Sequence, residues 1–222
     1  MEKYLVKSFT AGPIRVHPYV VIDRHKKIGC VIDPGGDSDA ILEEFVKADA
    51  QLKYIFNTHY HPDHVAHNGI IKDIVPNAQI CIGQEDARLL ETDFARFAQR
   101  FDYPIIAGKA DIKIKDGQIF NLGEIEIICI SVPGHTPGSI CYYSPQLKVV
   151  FTGDTLFQGL IGRIDLETSQ PDKMFDSLMK LIDLPDDTQV FPGHGRVSIM
   201  GNEKEMISNL HNDFNLAKNR MV

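Results

Sequence analysis

The feature that most constrains this chain is the segment Thr58-His59-Tyr60-His61-Pro62-Asp63-His64, which starts where the apolar run Tyr54–Asn57 ends. Four side chains able to bind a cation fall within six residues, directly after a strand-like run. If the backbone stays extended through Pro62, His59 and His61 point the same way and Tyr60 points away, because side chains alternate along a strand. Asp63 and His64 then sit at the turn into a helix, where the change of direction lets them face a second position. The spacing suits two metals, not one.

Three later segments have the same design. Pro133-Gly134-His135-Thr136, Thr152-Gly153-Asp154-Thr155 and Pro192-Gly193-His194-Gly195 each place one ligand-type residue just past an apolar run. Singly, each reads as a turn; together they are mutually supporting. Glycine beside His135, Asp154 and His194 lets backbone pass close to a metal cluster.

The rest of the pattern says what carries these strand ends. Strand-like runs at Tyr4–Phe9, Ile14–Ile22 and Ile28–Ile32 are stopped by the turn cluster Asp33-Pro34-Gly35-Gly36. Ser38 is placed to cap a helix with Ile41, Leu42, Phe45 and Val46 on one face, followed by a strand over Leu52–Phe56. A second helix is expected after His64 and a third from Gln84 to Phe101, its stripe of apolar and aromatic residues facing the core. The runs Ile112–Ile114, Gln118–Asn121, Ile125–Val132, Ile140–Tyr143 and Val149–Thr152 form a second β-rich half. Pro171 opens a helix carrying Met174, Phe175, Leu178, Met179 and Ile182, a strand follows at Thr188–Phe191, and a last helix runs from Asn202 to Leu216. Two sheets enclosed by helices fit this order.

Composition narrows the function. With 222 residues, 43% of them apolar, the chain has material for one core, and a single domain over residues 1–222 is expected. A net charge of −7 disfavours a phosphate-backbone footprint, so nucleic acid is not an expected partner. The absence of a signal-like start or of ~18 consecutive apolar residues points to a cytoplasmic protein without a membrane partner. Cys30, Cys81, Cys129 and Cys141 lie far apart in strand-like runs and read as reduced thiols packed as small hydrophobes.

At the four ligand segments the chain resembles the metallo-β-lactamase superfamily, whose motifs T-H-x-H-x-D-H, P-G-H-T-x-G-S, G-D and P-G-H-G are matched in order. The resemblance implies an α/β fold, the four-layer αβ/βα sandwich of two mixed β-sheets flanked by helices. It also implies that His59, His61 and His135 bind one metal and Asp63, His64 and His194 a second, with Asp154 bridging. Two divalent ions per chain are expected, zinc first, with iron or manganese as alternatives. Five neutral imidazoles, two carboxylates, two such ions and a bridging hydroxide leave the pocket net positive, which favours anionic substrates.

Asp154 stands where true β-lactamases of this fold usually lack a bridging aspartate, and His61 stands where flavodiiron proteins carry glutamate. The run Gly162-Arg163-Ile164-Asp165 is similar to the G-R-[ST]-D of the short glyoxalase-II-like, hydroxyacylglutathione hydrolase-like branch, with Ile164 in place of the hydroxyl residue. Arg163 and Asp165 are read either as positioning groups near the pocket or as a loop-fixing ion pair. Only 28 residues follow His194, so the C-terminal arm with which full-length relatives hold glutathione is expected to be missing.

The implied activity is a metallo-hydrolase, a thioesterase in which a metal-bound hydroxide attacks the carbonyl of a small anionic thioester such as a hydroxyacylglutathione. Asp63 serves both as ligand and as acceptor from the attacking hydroxide. The leaving thiolate needs no dedicated acid, because thiols have pKa values near ~8.5. The rival of another class is a persulfide dioxygenase holding one iron through His59, His135 and Asp154, and a lactone or ester hydrolase is a further alternative. His17, His25, His67 and His211 receive no assignment, with His67 close enough in sequence to support a ligand from behind.

Overall fold

The computed structural model describes residues 2–92 and 105–219. The first sheet has six strands in sequence order: β1 (Tyr4–Ser8), β2 (Tyr19–Asp23), β3 (Ile28–Ile32), β4 (Gln51–Phe56), β5 (Gln79–Gly83) and β6 (Ile112–Ile114). The β1, β2 and β3 strands pair antiparallel, and β3 through β6 pair parallel. Between the parallel strands run the connections that contain α1 (Ser38–Lys47), α2 (Pro62–Val65), α3 (Asn68–Ile74) and α4 (Gln84–Thr92).

The second sheet is built from β7 (Ile119–Leu122), β8 (Ile125–Ser131), β9 (Ile140–Ser144), β10 (Val149–Gly153), β13 (Gln189–Pro192) and β14 (Ser198–Ile199). It is antiparallel except where β10 runs parallel to β13. A small ribbon, β11 (Leu156–Phe157) with β12 (Leu160–Ile161), precedes α5 (Pro171–Ile182), and α6 (Met200–Asn219) closes the chain.

Alternation along the strands divides the apolar residues into layers. Phe56, Phe120 and Tyr142 meet ring to ring between the sheets, with centroids 4.9–5.0 Å apart, and Cys30, Cys81 and Cys129 pack among them as free thiols. Full burial of such side chains contributes about 1.5–3 kcal/mol each. On the outer face of the first sheet, Ile41 and Phe45 of α1 pack over Val20, Val31 and Ile55. On the outer face of the second, Met174, Leu178 and Leu181 of α5 pack over Val150 and Val190. Two mixed sheets between helical layers match the fold expected from the motifs.

Several local expectations need correction. Ile14–Val16 is not strand: Ala11 and Val16 bridge across a tight turn with Gly12 and Arg15 at φ 67 and 59, so pairing begins only at Tyr19. Ser38 is the first residue of α1 rather than its cap; its backbone N–H donates to Nδ1 of His67 at 3.4 Å. His67 thus serves the start of α1 and is not a support for the ligands. Val46 is 79% exposed, since Ile41 and Phe45 define the buried stripe of α1. Strand β5 was not expected at all. The expected helix from Gln84 is present as α4, and its continuation through Phe94, Phe97, Ala98 and Phe101 lies outside the described residues. Among the described residues, no helix is long and apolar enough to cross a membrane.

Candidate metal centre

Strands β4, β10 and β13 deliver their C-terminal ends to one edge of the sandwich, and the loops there converge. His61 is extended (φ −60, ψ 144) and Pro62 opens α2, so His59 and His61 face one position while the Asp63 and His64 side chains, one turn on, face the next. Tyr60 points away, buried against Val65, Ile82 and Leu90. The donor atoms of His59, His61 and His135 all lie within 4.8 Å of one another, as do those of Asp63, His64 and His194, and those of His59, His64 and Asp154. The structure therefore brings together all seven residues singled out in the sequence.

Hydrogen bonds behind the cluster set which nitrogen faces inward. The Thr58 hydroxyl donates to Asp33 Oδ2 at 2.7 Å, which leaves its oxygen to accept from His59 Nδ1 at 3.0 Å. His64 Nδ1 donates to the same Asp33 oxygen at 2.9 Å, His135 Nδ1 to the Arg163 carbonyl at 2.8 Å, and His194 Nδ1 to the Arg15 carbonyl at 3.3 Å. In each ring Nδ1 is the donor to this support, so Nε2 is the nitrogen turned toward the cluster, able to bind a cation once it carries no proton. His61 has the opposite orientation: its Nδ1 lies 3.0 Å from Nε2 of both His59 and His135.

The two aspartates complete the set. Asp63 Oδ2 is 3.1 Å from His194 Nε2 and 3.3 Å from His64 Nε2. Asp154 splits its oxygens, with Oδ2 toward His135 at 3.6 Å and Oδ1 toward His64 at 3.4 Å and His194 at 3.8 Å. His64 Nε2 and Asp154 Oδ1 are buried yet have no hydrogen-bond partner, an arrangement that is costly unless something else satisfies them. Convergent lone pairs, two carboxylates and orphaned buried polar atoms fit a divalent cation, because imidazole nitrogen and carboxylate oxygen are the donors that zinc, iron and manganese accept.

Protonation follows the same division. Burial and the neighbouring imidazoles hold His59 well below its usual range, and burial with His135 lowers His61 to about 3. Burial also lowers His135. These three rings are neutral near pH 7. Against the opposing effect of burial, Asp63, Asp33 and Asp154 raise His64, and the Asp63 hydrogen bond raises His194. Burial likewise opposes ionisation of Asp63 and Asp154, but the facing His64 imidazole holds both carboxyls below their usual value.

Glycine is required at two points here. A Cβ on Gly193 would lie 2.5 Å from His64 Cε1 and 2.6 Å from Asp154 Oδ1, and one on Gly153 would lie 2.2 Å from Thr58 Oγ1. Gly134 instead packs against Met174, away from the cluster. Arg163 and Asp165 form an exposed ion pair, with Nε to Oδ1 at 2.9 Å, and it is the backbone carbonyl of Arg163 that touches a ligand residue.

Sequence reasoning missed two supporting carboxylates. Asp33 ties the backbone and hydroxyl of Thr58 to His64. Asp86, fully buried at the start of α4, accepts from the backbone N–H of Tyr60 at 3.0 Å, from the Thr136 hydroxyl at 2.6 Å and from the backbone N–H of Gly138 at 2.6 Å. It thereby joins the His59–His61 loop to the His135 loop. Burial pushes Asp86 up to about 7, against the pull of these donors. A signal was available for Asp33, which, like the ligands, stands just past an apolar run.

Two mixed sheets between helices, with a histidine and aspartate cluster at the strand ends, define a metallo-hydrolase class. The chain belongs to the metallo-β-lactamase superfamily, whose family model matches residues 11–194. Among characterised relatives, it is 34% identical to the hydroxyacylglutathione hydrolase GloC of Haemophilus influenzae over 81% of this chain and 85% of that one. It is 36% identical to the hydroxyacylglutathione hydrolase of Brucella ovis over 87% of this chain, and there it spans only 65% of the relative's length. Among solved structures, TTHA1623 in a di-iron-bound form superposes with a TM-score of 0.77 at 29% identity, covering 90% of this chain and 98% of that one.

Proposed function

We propose that this protein is a binuclear metallo-hydrolase that cleaves a small anionic thioester of the hydroxyacylglutathione type. The observation that carries this reading is the orientation of the cluster, in which four rings are locked with Nε2 inward around two carboxylates. The likeness to GloC supports the substrate class.

In this reading His59, His61 and His135 would hold one cation, Asp63, His64 and His194 would hold the other, and Asp154 would contribute to both. Zinc is the first choice, and the relative with two irons keeps iron in view. Bound divalent cations supply a water ionised near pH 7 and a positive charge where the oxyanion of the attacked carbonyl develops. Asp63, held ionised by its histidines, would accept a hydrogen bond from the attacking hydroxide and orient it. The rings of His59 and His64 stay fixed through Asp33, so little reorganisation accompanies the reaction. The group of Asp63, His64 and His194 favours hydrolysis over the single-iron oxygenase, which leaves that group without a use.

The test is hydrolysis of S-lactoylglutathione by protein loaded separately with zinc, manganese and iron, followed by loss of thioester absorbance. Metal-dependent turnover that falls at least about 100-fold in a folded Asp154→Ala variant is expected. Full activity of Asp154→Ala, or no turnover with any metal despite two bound ions, would sink the proposal.

A further inference from the structure

Exposure across the cluster is uneven. His59, His61, His64 and His135 are at most 6% exposed, whereas the His194 side chain is 26% exposed and that of Asp154 is 15% exposed. His194 is therefore the most solvent-exposed of the seven candidate ligands. Two arginines stand beside it. Arg15 gives its carbonyl to His194 Nδ1, and Arg196 follows His194 by two residues, beyond a turn with Gly195 at φ 82.

Both arginines are exposed, and among the described residues no carboxylate pairs with either. The Arg15 backbone is held at φ 59, a left-handed conformation that costs a side-chain-bearing residue about 1–3 kcal/mol and concentrates at functional sites. The bridge between Ala11 and Val16 and the N–H of Arg15 on the Gly12 carbonyl enforce it. Burial and the facing His194 ring hold His17 below its usual range, with a smaller contribution from the Arg15 charge.

We infer that Arg15, whose carbonyl holds His194, with Arg196 two residues past His194, is the anion-recognition edge of this site and selects substrates carrying a carboxylate or phosphate away from the bond that is cleaved. The inference rests on the thioesterase reading and deepens it by assigning where the substrate's charge is read. A guanidinium offers a planar pair of donors to an oxyanion, and its reach lets it hold the distant end of a substrate while the reacting carbonyl lies at the cluster. Neither arginine touches the reacting atoms; they act on affinity and choice of substrate.

The test uses zinc-loaded protein and three thioethers that cannot be hydrolysed, so that binding is read separately from turnover. S-propylglutathione supplies carboxylates, its diethyl ester removes them, and S-propyl-coenzyme A supplies phosphates. By calorimetry, the wild type should bind at least one anionic thioether more tightly than the diester, and whichever binds more tightly identifies the source of the oxyanion. Arg15→Gln should reduce that preference about tenfold, Arg196→Gln less, and Arg15→Lys should retain part of it. Glutamine is chosen over glycine because it keeps the left-handed strain at position 15, and thermal melting checks folding; Arg24→Gln, on the far β2–β3 turn, is the control. No preference in the wild type, or a preference unchanged in both Arg15→Gln and Arg196→Gln, overturns the inference. Loss of thioester turnover with the binding contrast intact overturns only the thioesterase reading.

Discussion

His59, His61 and His135 are 1%, 6% and 3% exposed, while His194 in the neighbouring group keeps 26% of its side chain accessible. The two groups share Asp33, which stands behind His59 and His64, and differ in their other supports. His135 donates to a carbonyl at 2.8 Å and His59 rests, through Thr58, on the buried Asp33. His194 rests at 3.3 Å on the carbonyl of Arg15, in an exposed turn. A ligand placed just past a strand is thus common to both groups, and the packing behind it differs. The first, sealed group is wholly buried; the second, open at His194, has buried His64 and Asp63 beside that ring, which is held in part by an exposed loop.

Removing one ligand from each group gives the largest expected contrast. His194→Ala should weaken the open position at least about 100-fold and leave one tightly held ion per chain, because loss of an outer-layer partner alone costs about 10–100-fold. His61→Ala should empty the sealed position instead. Elemental analysis after gel filtration, with calorimetry of zinc rebinding, distinguishes the two. If both variants lose both ions equally, the groups are one cooperative unit and the comparison breaks.

The supporting carboxylates sharpen it. Asp33 serves His64 directly and His59 through Thr58, so Asp33→Asn should weaken both positions by about 10–100-fold. Asp86 serves only the loops of the sealed group. In Asp86→Asn the amide NH2 must face either the Gly138 N–H or the Tyr60 N–H and Thr136 hydroxyl, which should cost about 1–3 kcal/mol of stability and weaken the sealed position alone. Urea melts read the first effect and zinc titration the second. An Asp86→Asn variant of unchanged stability would remove the linking role from this residue.

How legible these parts were in the sequence depends on the range of the interaction that defines them. The seven candidate ligands sit in short segments after apolar runs, a local pattern, and the two-sheet architecture followed from the order of the runs. Asp33 and Asp86 act across 25 to 52 residues; Asp33 shares the ligands' position just past an apolar run, whereas nothing in the sequence around Asp86 marks a carboxylate that will accept from Gly138. Strand β5 is only five residues long and its pairing with β4 and β6 is what defines it. Val46 satisfied the helical spacing and yet faces solvent, because α1 lies on the sheet through Ile41 and Phe45. The Arg15 turn was hidden for a related reason: Ile14–Val16 has strand-like composition, and only closure of Ala11 on Val16 reveals the left-handed residue.

Acid gives the smallest effect and tests the comparison without a mutation. In the metal-free protein His64 and His194 are raised by their carboxylates, so their contribution to stability is fully present below pH 6.5 and is lost as pH rises through the raised values. A cation entering the open group must displace that protonation. Both rings face the same Asp63 oxygen and titrate as a coupled pair, so roughly one proton is displaced near neutrality. The sealed rings are held below 6.5, and between pH 7 and pH 6 they have little proton to give up. Zinc affinity at the open position should therefore fall about tenfold over that unit while the sealed position changes little. A titration at the two pH values that weakens both positions equally would mean the sealed histidines take up protons as readily as the open ones, and that burial does not separate the two groups.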